Sequence, residues 1–578
     1  MTHDTHRPTH VALCLSLWAA LAGPAWTQQA PDESPAPPQA AAPAAADPAP
    51  PPGESSATPG AMPAAAPSVA DTPAPGTPSD PTLITGCGAS LVLDNPDPHP
   101  ASRCQSLGDV KPEPAPQLIS ICRTNDHFGA SFAAGGDFDG DGRPDIAIGG
   151  MHRSTRGQGH SQVWVLPGDG GRALLVLEGD GRADLFGYAL AFVPDLDGDG
   201  RDELLVGAPE QGLMGRLYLL PGQADQAGGR LPARRGAALV LEGIEPGGRL
   251  GAALCVGDLD GDGRLDLAVG APGGERSDPR GYAGAVHVFP DLMGLIEGRN
   301  ETLVHSARQA AWTWRGESSG ARFGAALAVV PQDAGVPLLA VGAPATRGGG
   351  ADSLTSDAVG SVEAFRLSLD AAVWSVTSPP GSGLGYALDA GGDLNGDGQA
   401  DLLVGAPLWS SAEQPAGSRP SASEGAIMVL SGADGAPLLG DPSADPLLGS
   451  GRLGAAVRWL PDVTGDLRPD LLVGAPLDST DTLDCTRHGQ FHDQGGSIAG
   501  SAWVLDGVDG SPVLQIVGEM QRDRLGWALA AHDLDGDGLP ELLTGGLGWS
   551  PPAGDPSRSW LREVGRAYVV NGSRIPRD

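Results

Sequence analysis

One motif recurs seven times between Phe128 and the C-terminus, and it limits the possible folds more than any other feature of the chain. Its clearest copy is FGYALAFVPDLDGDGRDELLVGAP, opening at Phe186; the others open at Phe128, Leu250, Phe323, Leu384, Leu453 and Leu525. Successive starts lie 58 residues apart at the closest, Phe128 to Phe186, and 73 at the widest, Leu250 to Phe323. That is room for about four short strands with their connections. Within one copy YALAFV is a small and apolar run, an acidic loop follows, and ELLVGAP is a second strand ended by Gly and Pro. GRLYLLPG and AALVLEG then read as third and fourth strands. Four antiparallel strands repeated seven times predict an all-β chain, a seven-bladed β-propeller of four-stranded antiparallel blades. The 88 Gly and 54 Pro among 578 residues agree with many turns and few long helices.

The two ends of the repeat array predict how the ring closes. The seventh unit stops at GRAYVVNGSRIPRD, its third strand, while an unassigned strand, QLISICR at residues 117–123, precedes the first unit. This N-terminal strand is expected to complete the seventh blade and so remove an exposed sheet edge. The propeller then covers residues 117–578.

Upstream, residues 1–27 carry Arg7, an apolar run from Val11 to Leu21 and small residues up to Thr27, the pattern of a secretory signal peptide. Residues 28–82 are almost entirely Ala, Pro, Ser, Gly and Asp, too poor in large apolar side chains to offset chain entropy, and read as a disordered linker. Residues 83–116 form a cysteine-containing lead-in. No later stretch has the ~18 uninterrupted apolar residues of a membrane-spanning helix. The protein is therefore expected to be secreted, periplasmic or held at the cell surface. A formal charge of −35 opposes binding to nucleic acid. Of the cysteines beyond the signal region, Cys87 is expected to pair with Cys104, and Cys122 and Cys485 are left as candidates for a second bridge. Cys255, aligned with Phe192 and Ala390 of sister units, is expected as a buried free thiol.

Seven units that open with Phe-Gly or Leu-Gly and carry Gly-Ala-Pro after an acidic loop resemble FG-GAP repeats, the blades of the integrin α-chain head. The resemblance covers residues 117–578 and implies the same closed propeller. No integrin stalk, inserted ligand-binding domain or membrane anchor is legible in the sequence.

The acidic loops carry the chemistry. In DLDGDGRDE carboxylates fall at loop positions 1, 3, 5 and 9, with a backbone carbonyl at 7, and hard oxygen ligands on a tight glycine-bent loop suit Ca²⁺. An EF-hand would need a carboxylate at position 12, where these loops have Ile148, Val206, Val269, Val404, Val473 or Thr544 on a strand. The reading is a calcium-binding β-hairpin loop, as the resemblance also implies. The ligand sets are Asp137, Asp139, Asp141 and Asp145; Asp195, Asp197, Asp199 and Glu203; and Asp258, Asp260, Asp262 and Asp266. The fifth unit offers Asp393, Asn395, Asp397 and Asp401, the sixth Asp462, Thr464, Asp466 and Asp470, and the seventh Asp533, Asp535, Asp537 and Glu541. The sixth is expected to bind most weakly. The fourth unit, PQDAGVP, has only Asp333 and should bind no calcium, leaving about six sites of structural rather than catalytic character.

Calcium loops on one face leave the variable loops after Gly-Ala-Pro on the other, where recognition usually sits. These carry Trp409, Arg487, His488, Phe491, His492, Trp549, Arg558, Trp560 and Arg562. An extracellular protein or glycan ligand is expected there. CTRHGQFH places Cys485, His488 and His492 close together but lacks a fourth metal ligand, and no HExxH, GxSxG or phosphate-cradling loop occurs. The sequence thus favours an adhesion or binding module over an enzyme. A polysaccharide lyase using the same face is the alternative.

Overall fold

The computed structural model describes residues 15–16, 82–85, 91–94, 127–151, 160–181, 183–274, 281–296, 302–332, 335–345, 359–369, 371–410, 424–441, 446–478, 498–518, 522–548 and 565–577. Seven mainly antiparallel sheets succeed one another through them. The second blade is representative: Leu190–Val193, Glu203–Ala208, Arg216–Leu220 and Leu239–Glu242 pair in chain order. The other inner strands are Phe128–Gly136, Ala253–Gly257, Ala326–Val330, Ala387–Ala390, Ala456–Leu460 and Leu525–His532. Among the described residues helix is confined to Ala233–Gly236 and a few 3-10 turns, and none is long and apolar enough to cross a membrane.

The repeat's own first residues join the blades. Gly215 bridges Leu250, Gly284 bridges Phe323, Gly425 bridges Leu453 and Gly500 bridges Leu525, each a parallel bridge from one blade to the opening of the next. Phe128 makes the same bridge to Gly565. Blade seven therefore meets blade one as any two neighbours meet, and the ring is closed. The glycines of the motif are demanded by this joint: a Cβ on Gly207 would stand 2.0 Å from the carbonyl oxygen of Gly251 in the next blade. Between blades the core is made of small residues facing larger ones. Ala189, Ala191 and Val193 of the second blade pack in one cluster with Leu254 and Val256 of the third.

The closing strand differs from expectation in position. Leu91–Asp94 pairs antiparallel with Arg566–Val570 and supplies the outer strand of the seventh blade. That is the seat assigned above to residues 117–123, which lie outside the described residues. Three blades also carry a fifth, parallel outer strand. Gly229–Pro232 runs beside Leu175–Glu178, Leu303–Ser306 beside Leu239–Glu242, and Thr82–Thr85 beside Pro512–Val517. The short strand Leu15–Ser16 pairs with Ala253 and Leu254 on the inner edge of the third blade.

Cys255 is a fully buried free thiol. Its register is one residue from that inferred from sequence: it pairs with Ala268 as Ala191 pairs with Leu205 and Asp389 with Leu403, so its counterparts are Ala191 and Asp389 rather than Phe192 and Ala390. Cys87, Cys104, Cys122 and Cys485 lie outside the described residues.

Candidate metal sites

Each acidic loop is folded by its own carboxylates. Asp195 begins the second loop and accepts the amides of Gly198 on Oδ1 at 2.8 Å and of Gly200 on Oδ2 at 3.0 Å. Asp197 accepts from Asp199, and Asp199 from Arg201. Position 9 ties the loop back to the strand, since Glu203 accepts the Leu196 amide at 2.7 Å. The same bonds recur around Asp137, Asp258, Asp393, Asp462 and Asp533. They recur at position 9 in Asp145, Asp266, Asp401, Asp470 and Glu541. Short Asp side chains bond locally to backbone in this way, while glycine supplies left-handed turns such as Gly198 at φ 79°.

This folding gathers oxygens that repel one another. One oxygen from each of Asp195, Asp197 and Asp199 lies within 4.8 Å of the others, as do those of Asp258, Asp260 and Asp262 and of Asp533, Asp535 and Asp537. In the first loop the group is Asp137, Asp139 and Asp145. Asp141, Glu203, Asp266 and Glu541 fall outside these closest groups. In the fifth loop Asn395 holds the middle place and donates to Asp397 Oδ2 at 3.0 Å. In the sixth, Thr464 is buried and its hydroxyl turns to Asp470 Oδ1 at 3.4 Å. Oxygens that all lie within 4.8 Å of one another can share a cation whose ligands stand at about 2.3–2.6 Å. Asp333 lies outside the described residues.

Burial at position 9 acts against charge. Desolvation raises Asp145 to about 7, Glu203 to about 8, and Asp266 and Asp401 to about 6, despite the backbone amides that each accepts. Asp470 and Glu541 are raised for the same first cause. A bound divalent cation would reverse this balance by supplying the opposite charge on the spot.

Two contributors had no distinct signal in the sequence. Asp202 accepts the amide of Asp195 on one oxygen and that of Asp137, in the neighbouring blade's loop, on the other, both at 2.9 Å. It couples the first and second loops, a role hidden by its position one residue before a ligand. Asn571 donates to both Asp535 and Glu541 from beyond the last strand. On the opposite face Trp409 is buried, 8 % exposed, and packs in the core instead of presenting its ring to a ligand. Arg487, His488, Phe491, His492, Trp549, Arg558, Trp560 and Arg562 lie outside the described residues.

The FG-GAP repeat model matches residues 128–166, 250–289 and 384–423, and the FG-GAP-like repeat model matches 195–269. Among curated proteins, integrin alpha-IIb of Homo sapiens is 38 % identical over 180 residues, 29 % of this chain and 15 % of that protein. Integrin alpha-5 of Xenopus laevis is 34 % identical over 181 residues, 30 % of this chain and 16 % of its own length. The chain is an integrin-like FG-GAP propeller. Phosphatidylinositol-glycan-specific phospholipase D of Homo sapiens is also similar, 30 % identical over 411 residues, 65 % of this propeller chain and 45 % of the phospholipase. The FG-GAP propeller thus spans less than half the length of these relatives.

Proposed function

We propose that this FG-GAP propeller is exported and calcium-stabilised, and that it serves as a binding or adhesion module for an extracellular protein or glycan. Its ligand would engage the face opposite the acidic loops. The observation that supports the reading is the repetition of one oxygen-rich hairpin in one register, with three carboxylates within 4.8 Å in four of the loops. Calcium would be held by positions 1, 3, 5 and 9 of six loops, with Asn395 and Thr464 substituting at position 3. It would supply the charge that lets these side chains stay close together and fully ionised. The chain's own contribution is to pre-fold each loop through backbone amides, so that little ordering remains to be done on binding. Because every loop joins an inner strand to its neighbour, the ions would stiffen the frame that carries the variable loops.

The test is a binding screen of glycans and cell-surface proteins, run once with calcium and once with chelator. A ligand retained in calcium and lost in chelator supports the reading. A ligand bound equally in both conditions, with an unchanged melting curve, would remove calcium from it.

A further inference from the structure

Three successive carbonyls at the head of the first acidic loop are held by the neighbouring blade. Asp137 O accepts the Asp202 amide at 2.8 Å, Phe138 O the Gln223 amide at 2.9 Å, and Asp139 O the Nε–H of Arg201 at 3.3 Å. Asp202 also returns a bond, since its Oδ2 accepts the Asp137 amide at 2.9 Å while its Oδ1 accepts that of Asp195 at 2.9 Å. The leading ligand residue of one loop is thus clasped on both its N–H and its C=O by a residue inside the next loop. Arg201 adds a further tie: its Nη1 donates to Asp199 Oδ2 at 3.0 Å, so one guanidinium joins position 3 of the first loop to position 5 of the second.

Folding of a single loop does not need this clasp. The other acidic loops carry Pro144, Leu265, Ala400, Pro469 and Pro540 at position 8, none with an acceptor side chain, and they make the same internal turns. What sets Asp202 apart is its place in the chain. It lies between Arg201, whose carbonyl is position 7, and Glu203, the buried carboxylate at position 9. On the calcium reading both of those positions serve the ion, so occupancy of the second loop fixes the peptide units on either side of Asp202. A residue already fixed loses no further freedom in clasping Asp137, and ordering completed at one site need not be repeated at the other. The Asp202 carboxylate also stands between two loops that would each gain a dication, and it offsets part of their repulsion.

We propose that the first and second loops bind calcium as a cooperative pair, with Asp202 the positioning residue through which occupancy of either site favours occupancy of the other. Coupling of this kind is reciprocal: the factor by which the second ion tightens the first equals the factor by which the first tightens the second. This rests on the calcium reading above and specifies how two of its sites are regulated.

The test follows amide exchange by mass spectrometry on the calcium-depleted full chain as free calcium is raised, which reads the calcium midpoint of each loop separately. Asp139→Ala and Asp197→Ala each remove a converging carboxylate from one loop and leave the backbone clasp in place. Asp197→Ala should raise the midpoint of the first loop at least about fivefold, and Asp139→Ala should raise that of the second by the same factor. A site weakened to that extent still fills at saturating calcium, so the effect is a displaced midpoint and not a lost ion. The third loop, with Leu265 at position 8, should respond to neither change. In an Asp202→Ala background the two substitutions should no longer reach across the joint. A residue that merely kept the loops folded would lower both affinities there and leave the coupling factor as it was. If Asp202→Ala does not fold, Asp202→Asn replaces it with the same expectation, because it keeps one acceptor oxygen for two amides. The proposal is overturned if neither substitution moves the other loop, if the coupling survives the change at Asp202, or if the third loop moves as far as the first. Parent loops that gain no protection at any calcium concentration would remove the calcium reading itself, and this proposal with it.

Discussion

Gly545 of the last blade lies against Gly129 of the first so closely that a Cβ on Gly545 would stand 1.9 Å from the Gly129 carbonyl oxygen. The contact closes the ring, and it repeats the one that Gly207 makes with Gly251 between ordinary neighbours. Gly545→Ala must therefore push two blades apart. It should destabilise by about 1–3 kcal/mol, the usual cost of overpacking. Gly335→Ala, whose Cβ would meet nothing within 4 Å, is the control. Equal melting temperatures for the two variants would show that the joint tolerates opening.

Deleting residues 91–94 should harm the protein more than deleting residues 117–123. Leu91–Asp94 is the only partner of Arg566–Val570 on its outer side among the described residues, and its removal leaves an unpaired edge. Light scattering during a thermal ramp should show earlier aggregation for the first deletion. The reverse order would mean that residues 117–123 can take the closing seat.

The blades were legible in the sequence because each strand is written seven times: a run ambiguous in one unit is settled by its register in six others. The closing strand is written once. LVLD and QLISICR are both short apolar runs upstream of the first repeat, and only pairing with Arg566–Val570 distinguishes them. Parallel outer strands such as Gly229–Pro232 were hidden for a similar reason, being half-buried and without alternation. In the loops, ligand spacing was readable but the brace was not. Asp202 looks like any solvated acid until the fold places Asp137 of the next blade beside it.

Stability should fall on acidification through His287. It is buried on the third strand of blade three, with Nδ1 3.0 Å from Thr313 Oγ1, and burial lowers it from 6.5 to about 4, with Arg315 acting in the same sense and Glu245 opposing. Between those values the unfolded chain takes up a proton that the folded chain does not. The contribution is therefore complete above about pH 6.5 and lost as pH falls toward 4, by roughly 3 kcal/mol in all. His287→Gln should flatten that part of the stability curve relative to the parent in urea titrations at stepped pH. Parallel curves for parent and variant would exclude the histidine as the source.

A buried pair of opposite charge bridges two neighbouring inner strands. Asp389 accepts the amide of Trp459 at 2.8 Å and stands 3.6 Å from Arg458 Nη1, with both side chains almost fully enclosed. Removing the cation alone leaves a buried carboxylate without its partner, so Arg458→Met should cost about 3–5 kcal/mol. The double variant Asp389→Asn/Arg458→Met should recover part of that loss. Additive losses in the double-mutant cycle would show that the two charges act independently.

Calcium itself gives the most direct measurement. If each site has the ~0.1 mM affinity of extracellular modules and free calcium is ~1 mM, each ion adds about 1.4 kcal/mol, so six add roughly 8. That rivals the entire stability of an ordinary domain, about 5–15 kcal/mol, and chelation should lower the melting temperature in several steps. Asp199→Ala removes one of the three converging carboxylates of the second loop and should weaken that site while the other blades keep theirs. Asp202→Ala should weaken the first and second sites together, because it frees the Asp137 and Asp195 amides at once. Calorimetric titration of the chelated protein should count six ions, or five if Thr464, already turned to Asp470, leaves the sixth loop too weak. A count of zero or one, with a melting curve indifferent to chelator, would reduce the acidic loops to hydrogen-bonded turns whose carboxylates serve only the backbone.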